Sequence, residues 1–321
     1  MKFVICCPDD YTGGPFALLQ LNSAINSLGY KSQILFYDVA KEMRLIEDYM
    51  TVSYKRRPNI SIADLKYDVC SVVHKDDVII FPEREISLLV KFSKNGFSNC
   101  VLWWLSWDNA PLSQLNRFEE LSALHHSISI FQSHYAQREA ASLNIDGPIV
   151  SDYTLYDTRM SEERHVKKYD ICFLPRKAIG TEKIIADLQS SFSVFSIENM
   201  SHTEVQRALQ ASKYFIDFGH HPGKDRIPRE AALFDCIPIV RKAGAAKHME
   251  DVYLPNFLKL DHSVLSGQGF LTSYIHNLNK NYESILYSLK PYQRRIRSEF
   301  DLFHLQVSDF CNLFFGQPEV Q

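Results

Sequence analysis

Long apolar runs are missing from this sequence. Met1-Lys2-Phe3-Val4-Ile5 passes straight into Cys6-Cys7-Pro8-Asp9-Asp10, so no h-region of a secretion signal is read, and no stretch nears the roughly 20 apolar residues of a membrane span. Positive charge is not in excess: 35 Lys and Arg stand against 38 Asp and Glu, a formal net charge of −3. That argues against a general binder of nucleic acid or other polyanions, and an anionic ligand must therefore meet a local basic cluster. Cysteine is sparse and unpatterned. The seven (Cys6, Cys7, Cys70, Cys100, Cys172, Cys236, Cys311) are odd in number and have no C-x-x-C spacing. They read as reduced core residues, and the expected compartment is the cytoplasm. No G-x-G-x-x-G opens either half, and Thr12-Gly13-Gly14-Pro15 is a poor substitute, so a dinucleotide oxidoreductase is not expected.

What is present is ordinary globular composition, 45% hydrophobic and 23% charged over 321 residues, enough for two domains with a core each. A short apolar strand, Phe3 to Cys7, ends in the Gly13-Gly14-Pro15 loop. A helical pattern (Phe16, Leu19, Leu21, Ala24, Ile25, Leu28) follows and stops at Gly29. Further strands read at Ser32–Tyr37, Val78–Phe81, Cys100–Leu105 and Ser127–Phe131, with helices near Ile86–Lys94 and Tyr135–Leu143. Short apolar strands alternating with helices predict a parallel sheet covered on both faces. The pattern restarts after the polar stretch Ser161–Lys168. Strands read at Tyr169–Leu174, Phe192–Ile197, Tyr214–Phe218 and Ile237–Val240. Helices read at Thr181–Ser190, after a Ser201-x-x-Glu204 capping box, and at Pro228–Phe234. The expectation is α/β: two Rossmann-like, doubly wound domains, 1–157 and 158–321, with a C-terminal helical segment, Tyr282–Phe315, that crosses back to the first.

The segment richest in chemistry is Asp217-Phe218-Gly219-His220-His221-Pro222-Gly223-Lys224-Asp225-Arg226-Ile227-Pro228-Arg229-Glu230. A strand feeds a Gly-containing loop with two fixed cations, and the loop feeds a helix whose first turn accepts Pro228. Free N–H groups at a helix start, together with Gly223, Lys224 and Arg226, suit an anion. Glu230 would repel a phosphate, so its natural partners are neutral hydroxyls such as those of a ribose. The plainer alternative keeps Glu230 as a complement to the helix dipole and the cations as a solvated loop, which is how most such clusters behave.

This segment, with Ile237-Pro238-Ile239-Val240 behind it, resembles the nucleotide-sugar site of GT-B glycosyltransferases. In the large family with a Glu-x7-Glu motif, the second Glu opens a helix of the form Glu-Ala-x-x-x-Gly-x-Pro-Val, which Glu230–Val240 matches with Asp235-Cys236-Ile237 spanning the usual small residue. The first Glu falls at Pro222 and is absent. The run HPGKDRIPREAA resembles a bacterial subgroup met in surface-polysaccharide synthesis, O-antigen or capsule, where this basic loop replaces the acidic position. The resemblance implies a hexosyltransferase-like enzyme. Its partners are a nucleotide-diphosphate sugar and a glycan or lipid-linked acceptor, and it uses no cofactor. Gly13 and Gly14 resemble the fold's N-terminal glycine turn, and Arg176 and Lys177 stand where such enzymes carry a basic residue on the donor phosphates.

Asp108 follows an apolar strand and is the candidate general base, with a turn leading to Pro111 as the equal alternative. Glu83 is a weaker second candidate, with helix capping as its other role. Asp9, Asp10 and Tyr11 touch acceptor or are plain loop. His221 and Lys224 complete the catalytic candidates; His134 is a mobile-proton candidate or structural, and Trp103, Trp104 and Trp107 read as core and cleft wall, with a sugar platform as the alternative. No metal is expected, because no Asp-x-Asp stands convincingly at a strand end and Lys224 and Arg226 already supply positive charge. Lys290, Arg294, Arg295 and Arg297, beside Tyr292, Ile296 and Phe300, form either a face for peripheral contact with the inner membrane or a solvated helix face. The rival functions are a sugar-nucleotide epimerase or hydrolase and a catalytically silent donor-binding subunit.

Overall fold

The computed structural model describes residues 1–62, 65–114, 119–156, 158, 166–265, 267 and 269–315; within the expected linker, 157 and 159–165 lie outside them. The chain forms two compact units. One is Met1–Tyr153 joined by the segment from Phe300 onward, and the other is Thr154–Glu299. The C-terminal stretch counted with the second half is therefore divided at Glu299.

The first unit has strands β1 (Phe3–Cys7), β2 (Ser32–Phe36), β3 (Ala40–Ile46), β4 (Tyr49–Tyr54), β5 (Val72–His74), β6 (Val78–Pro82), β7 (Cys100–Trp104) and β8 (Ile128–Phe131). Five of them make a parallel sheet in the order β2-β1-β6-β7-β8. β1, β6 and β7 are buried at every position, which is why they read as unbroken apolar runs. β3, β4 and β5 form a separate antiparallel sheet. The strand order reverses between β1 and β6, so the loops after Cys7 and Pro82 flank the switch point, where open α/β sheets bind ligands. The first helix runs Gly13–Ser27 and so includes both glycines that were expected to precede it. The last helix, Glu299–Phe315, closes this unit. Phe310, Phe314 and Phe315 set their rings 5.8, 6.0 and 5.1 Å from that of Phe3, and Gln306 accepts a hydrogen bond from the Ser151 amide at 2.9 Å.

The second unit has strands β9 (Tyr169–Phe173), β10 (Val194–Ser196), β11 (Ser212–Asp217), β12 (Ile237–Arg241) and β13 (Lys259–Leu260), all parallel in the order β10-β9-β11-β12-β13. The helix His202–Gln210 opens with the capping box that Ser201 and Glu204 predict. Here the order reverses between β9 and β11. The loops after Phe173 and Asp217, which hold Lys177 and the basic segment, therefore flank the switch point.

Two expectations need correcting. The helix expected from Pro228 starts at Arg226, which moves Glu230 beyond the first turn and weakens its role as a dipole complement. In the helix Lys290–Arg297, Tyr292 and Ile296 are each 2% exposed and pack into the core, so they offer no apolar face to a lipid surface. Two of the cations there are held locally: Arg295 bonds the Glu250 carbonyl and Arg297 the Tyr156 hydroxyl. Among the described residues no helix is long and apolar enough to cross a membrane.

Candidate functional site

In the second unit the loop from Phe218 to Asp225 is fixed from below. Lys177, just past β9, places Nζ 2.9 Å from Asp217 and 2.8 Å from Asp225. Burial alone would lower the lysine's pKa; the two carboxylates outweigh it and hold it above the ordinary range. Burial would likewise raise Asp225, but Lys177 and His221 hold it well below the usual carboxylate range. His221 is buried with Nδ1 2.8 Å from Asp225. Gly244 lies against the loop at φ +51°, and a Cβ there would fall 1.9 Å from the His221 carbonyl oxygen. One ligand atom each from Asp217, His221 and Asp225 lies within 4.8 Å of the others, a set able to hold a cation. Lys177 Nζ stands between the two carboxylates of that set. Lys177 is therefore committed within the protein, whereas it was expected on donor phosphates.

Lys224 was also expected to face a ligand. Its side chain is 13% exposed and Nζ is 3.0 Å from Glu299 Oε1. The other Glu299 oxygen takes Arg229 Nη1 at 2.8 Å, and Arg229 also donates to the carbonyls of Lys224 and Asp225. Burial would raise Glu299; Arg229 and Lys224 overcome that and keep it ionised. Arg229 and Glu299 thus shape the loop, and neither stood out in the sequence. Arg176 is exposed, Arg226 half-buried and Gly223 buried. Asp225, at the N-cap of the helix Arg226–Leu233, makes no side-chain cap bond because its carboxylate turns to Lys177. The first N–H groups of that helix are left without a side-chain acceptor from the cap, the arrangement that suits an anion.

Glu230 is 2% exposed. Its Oε1 lies 2.9 Å from His202 Nε2, and Gln206 Nε2 lies 3.2 Å from the same nitrogen. Its Oε2 is buried and has no hydrogen-bond donor among the described residues. A buried carboxylate oxygen without a donor costs about 1–3 kcal/mol or more. His202 was missed on sequence. The signal available was its place right after the Ser201 cap, at the start of the helix that follows β10.

The remaining candidates belong to the first unit. Asp108 is exposed and accepts the Tyr135 hydroxyl at 2.9 and 3.1 Å. Burial, then Asp108, pushes the Tyr135 phenol up, so it stays a hydrogen-bond donor. A Cβ at Gly13 would meet nothing within 4 Å, and one at Gly14 only Leu105 at 3.8 Å. Nothing in the unit itself therefore demands a bare backbone at either position. Glu83 is buried, accepts the Leu105 amide at 3.1 Å, and is pushed up to about 8 by burial. The Asp9 side chain is covered and accepts the Asn59 and Ile60 amides and Arg56, so it braces the loop instead of facing outward. Trp103 and Trp104 are core, with their indole N–H groups on Val150 O and Ser129 Oγ.

No protein-family model matches the chain, and no curated protein matches it. Solved structures do share its fold. Sucrose-phosphate synthase from Thermosynechococcus elongatus superposes with a TM-score of 0.69 at 11% identity, over 98% of this chain and 99% of that one. HepE from Anabaena, solved with UDP and glucose, gives 0.65 at 10% identity, over 98% and 100%. A glycosyltransferase from Rickettsia africae gives 0.59 at 12% identity, over 98% and 97%. The fold is thus that of GT-B glycosyltransferases: α/β, with two parallel sheets of Rossmann type and C-terminal helices.

Proposed function

We propose that the chain is a metal-independent glycosyltransferase that moves a sugar from a nucleotide diphosphate to a glycan or lipid-linked acceptor. The observation that carries this reading is the donorless, buried Oε2 of Glu230 next to a helix start that lacks a side-chain cap. A ribose hydroxyl would supply the missing donor, and a diphosphate would be held at the helix start, with Arg226 and Arg176 as its cations. Lys224 is shared with Glu299, so an arriving diphosphate competes with that carboxylate for it and gains positive charge as the leaving group forms. Lys177, between Asp217 and Asp225, fills the place a divalent cation would take, and this supports metal independence. His221 buttresses the loop through Asp225. Asp108 serves as base on the acceptor hydroxyl, its carboxylate oriented by Tyr135. HepE, which was solved with UDP and glucose, supports UDP as the first nucleotide to try. The HPGKDRIPREAA run supports bacterial surface polysaccharide as the setting, with the enzyme in the cytoplasm.

The test is nucleotide release from a panel of UDP- and GDP-sugars, with and without oligosaccharide acceptors, in excess EDTA. Acceptor-dependent release that persists in EDTA is expected. Release equally fast with donor alone would make the protein a hydrolase or epimerase. Binding without any release would make it a silent subunit, and activity lost in EDTA and restored by Mn²⁺ would overturn metal independence.

A further inference from the structure

The first unit holds a second concavity that none of the chemistry above uses. Tyr54, Arg56, Arg57, Pro58, Tyr67 and Val69 line a cavity of about 480 Å³, within the usual range for small-molecule sites. Its construction is specific. The Tyr54 hydroxyl donates to the Cys70 carbonyl at 2.5 Å and the Tyr67 hydroxyl to the Ile60 carbonyl at 2.7 Å. Both phenols are committed to backbone, so the two side chains offer ring carbons to an occupant. Pro58 and the 37%-exposed Val69 extend that apolar surface. Two guanidinium groups and, among the described residues, no carboxylate join the lining. Arg56 is paired with Asp9, whereas the exposed Arg57 side chain makes no hydrogen bond or ion pair among the described residues.

Aromatic faces next to an exposed guanidinium select a ligand with an apolar face and a negative charge. Pyranose rings lay their C–H faces on aromatic rings, and the planar guanidinium pairs bidentately with carboxylate or phosphate. We propose that this cavity binds a saccharide carrying a negative charge, its ring against Tyr54 and Tyr67 and its anion on Arg57. The rim is tied to the loop ahead of Gly13. Asp9 takes the amides of Asn59 and Ile60 as well as Arg56, while the Tyr11 hydroxyl donates to Asn59 O and accepts from Ser61 N. An occupant that pulls on Arg56 or Arg57 therefore bears on the residues that lead into the first helix. In the glycosyltransferase reading this makes the cavity an acceptor subsite; that role rests on the reading, but the binding does not.

The experiment is calorimetric titration of the full chain with glucose, glucose 6-phosphate, glucuronate, inorganic phosphate and UDP, on the natural protein, Arg57→Gln and Arg57→Lys. The two charged sugars should bind at least about tenfold tighter than glucose, the factor of one interaction of roughly 1.4 kcal/mol. The 6-phosphate and the uronate arms tell which anion is preferred. Arg57→Gln should erase the preference for charge and Arg57→Lys keep part of it, and because Arg57 is exposed neither should disturb folding. Equal affinity for glucose and the charged sugars, an unchanged preference in Arg57→Gln, inorganic phosphate binding as well as glucose 6-phosphate, or displacement of glucose 6-phosphate by UDP would each overturn the proposal. If UDP fails to bind while glucose 6-phosphate binds through Arg57, the donor reading and the acceptor role fall and the binding of a charged saccharide stands.

Discussion

Removing the Glu230 carboxylate separates a binding residue from a structural one, because the two roles predict opposite balances of affinity and stability. In the free protein one oxygen meets His202 at 2.9 Å and the other meets no donor. If Oε2 waits for a ribose hydroxyl, Glu230→Gln removes a hydrogen bond to a charged group, worth about 1.5–3 kcal/mol. That is roughly a 12- to 160-fold loss of UDP affinity. Glu230→Ala should lose at least as much. Stability should move little in the Gln variant, since relief of a buried, unsatisfied charge, about 1–3 kcal/mol, offsets the weakened bond to the 37%-exposed His202 ring. Titration calorimetry with UDP and thermal melts of the same three proteins read both quantities. A melting temperature several degrees lower in Glu230→Gln, with UDP affinity unchanged, would refute the reasoning and leave Glu230 as a structural partner of His202.

Two further outcomes follow from the buried charges. Lys177→Met leaves Asp217 and Asp225 facing each other without their cation and should cost about 3–5 kcal/mol of stability. Mg²⁺ or Mn²⁺ should then raise the melting temperature of the variant and not of the natural protein, because the vacated place is ringed by Asp217, His221 and Asp225; a variant indifferent to both ions would contradict this account of the loop. Glu83, pushed up to about 8, is protonated in the fold at a pH where the unfolded chain, near 4.3, has already ionised. Its raised folded pKa adds stability below about pH 4.3 that is lost as pH climbs to 8, on the order of 5 kcal/mol over the window. Melting temperatures of the natural protein should therefore fall against those of Glu83→Gln between pH 5 and 8, and parallel pH profiles would show that Glu83 is not buried as described.

The parallel sheets were legible because their strands are apolar at every position, as in Phe3–Cys7 and Val78–Pro82. The β3–β4 hairpin was not. Its first strand has no fully buried position, and its turn passes through Glu47 at φ 50° with none of the Gly or Asn that signal such a turn. The basic loop, too, was legible as a cluster after a strand, but its charge balance was not. Lys177 is neutralised by carboxylates 40 and 48 residues away, and Arg229 and Lys224 by Glu299, 70 and 75 residues away. Spacing along a chain reports which charges are near each other in sequence; only the fold decides which of them are already paired.

The closing of the first unit by Glu299–Phe315 bears on how the protein is made. Phe3 leaves the ribosome about 300 residues before the rings that cover it, Phe310, Phe314 and Phe315. Domains generally fold as units, the N-terminal one first during synthesis. Here Thr154–Glu299 is contiguous and complete before the earlier unit has received its final helix. The usual order is inverted: the second unit can finish while β1 still exposes one edge of its aromatic packing. A chain truncated after Glu299 would keep every residue of the basic loop and Glu230 but leave Phe3 uncovered, so loss of the C-terminal helix should surface as aggregation of the N-terminal half.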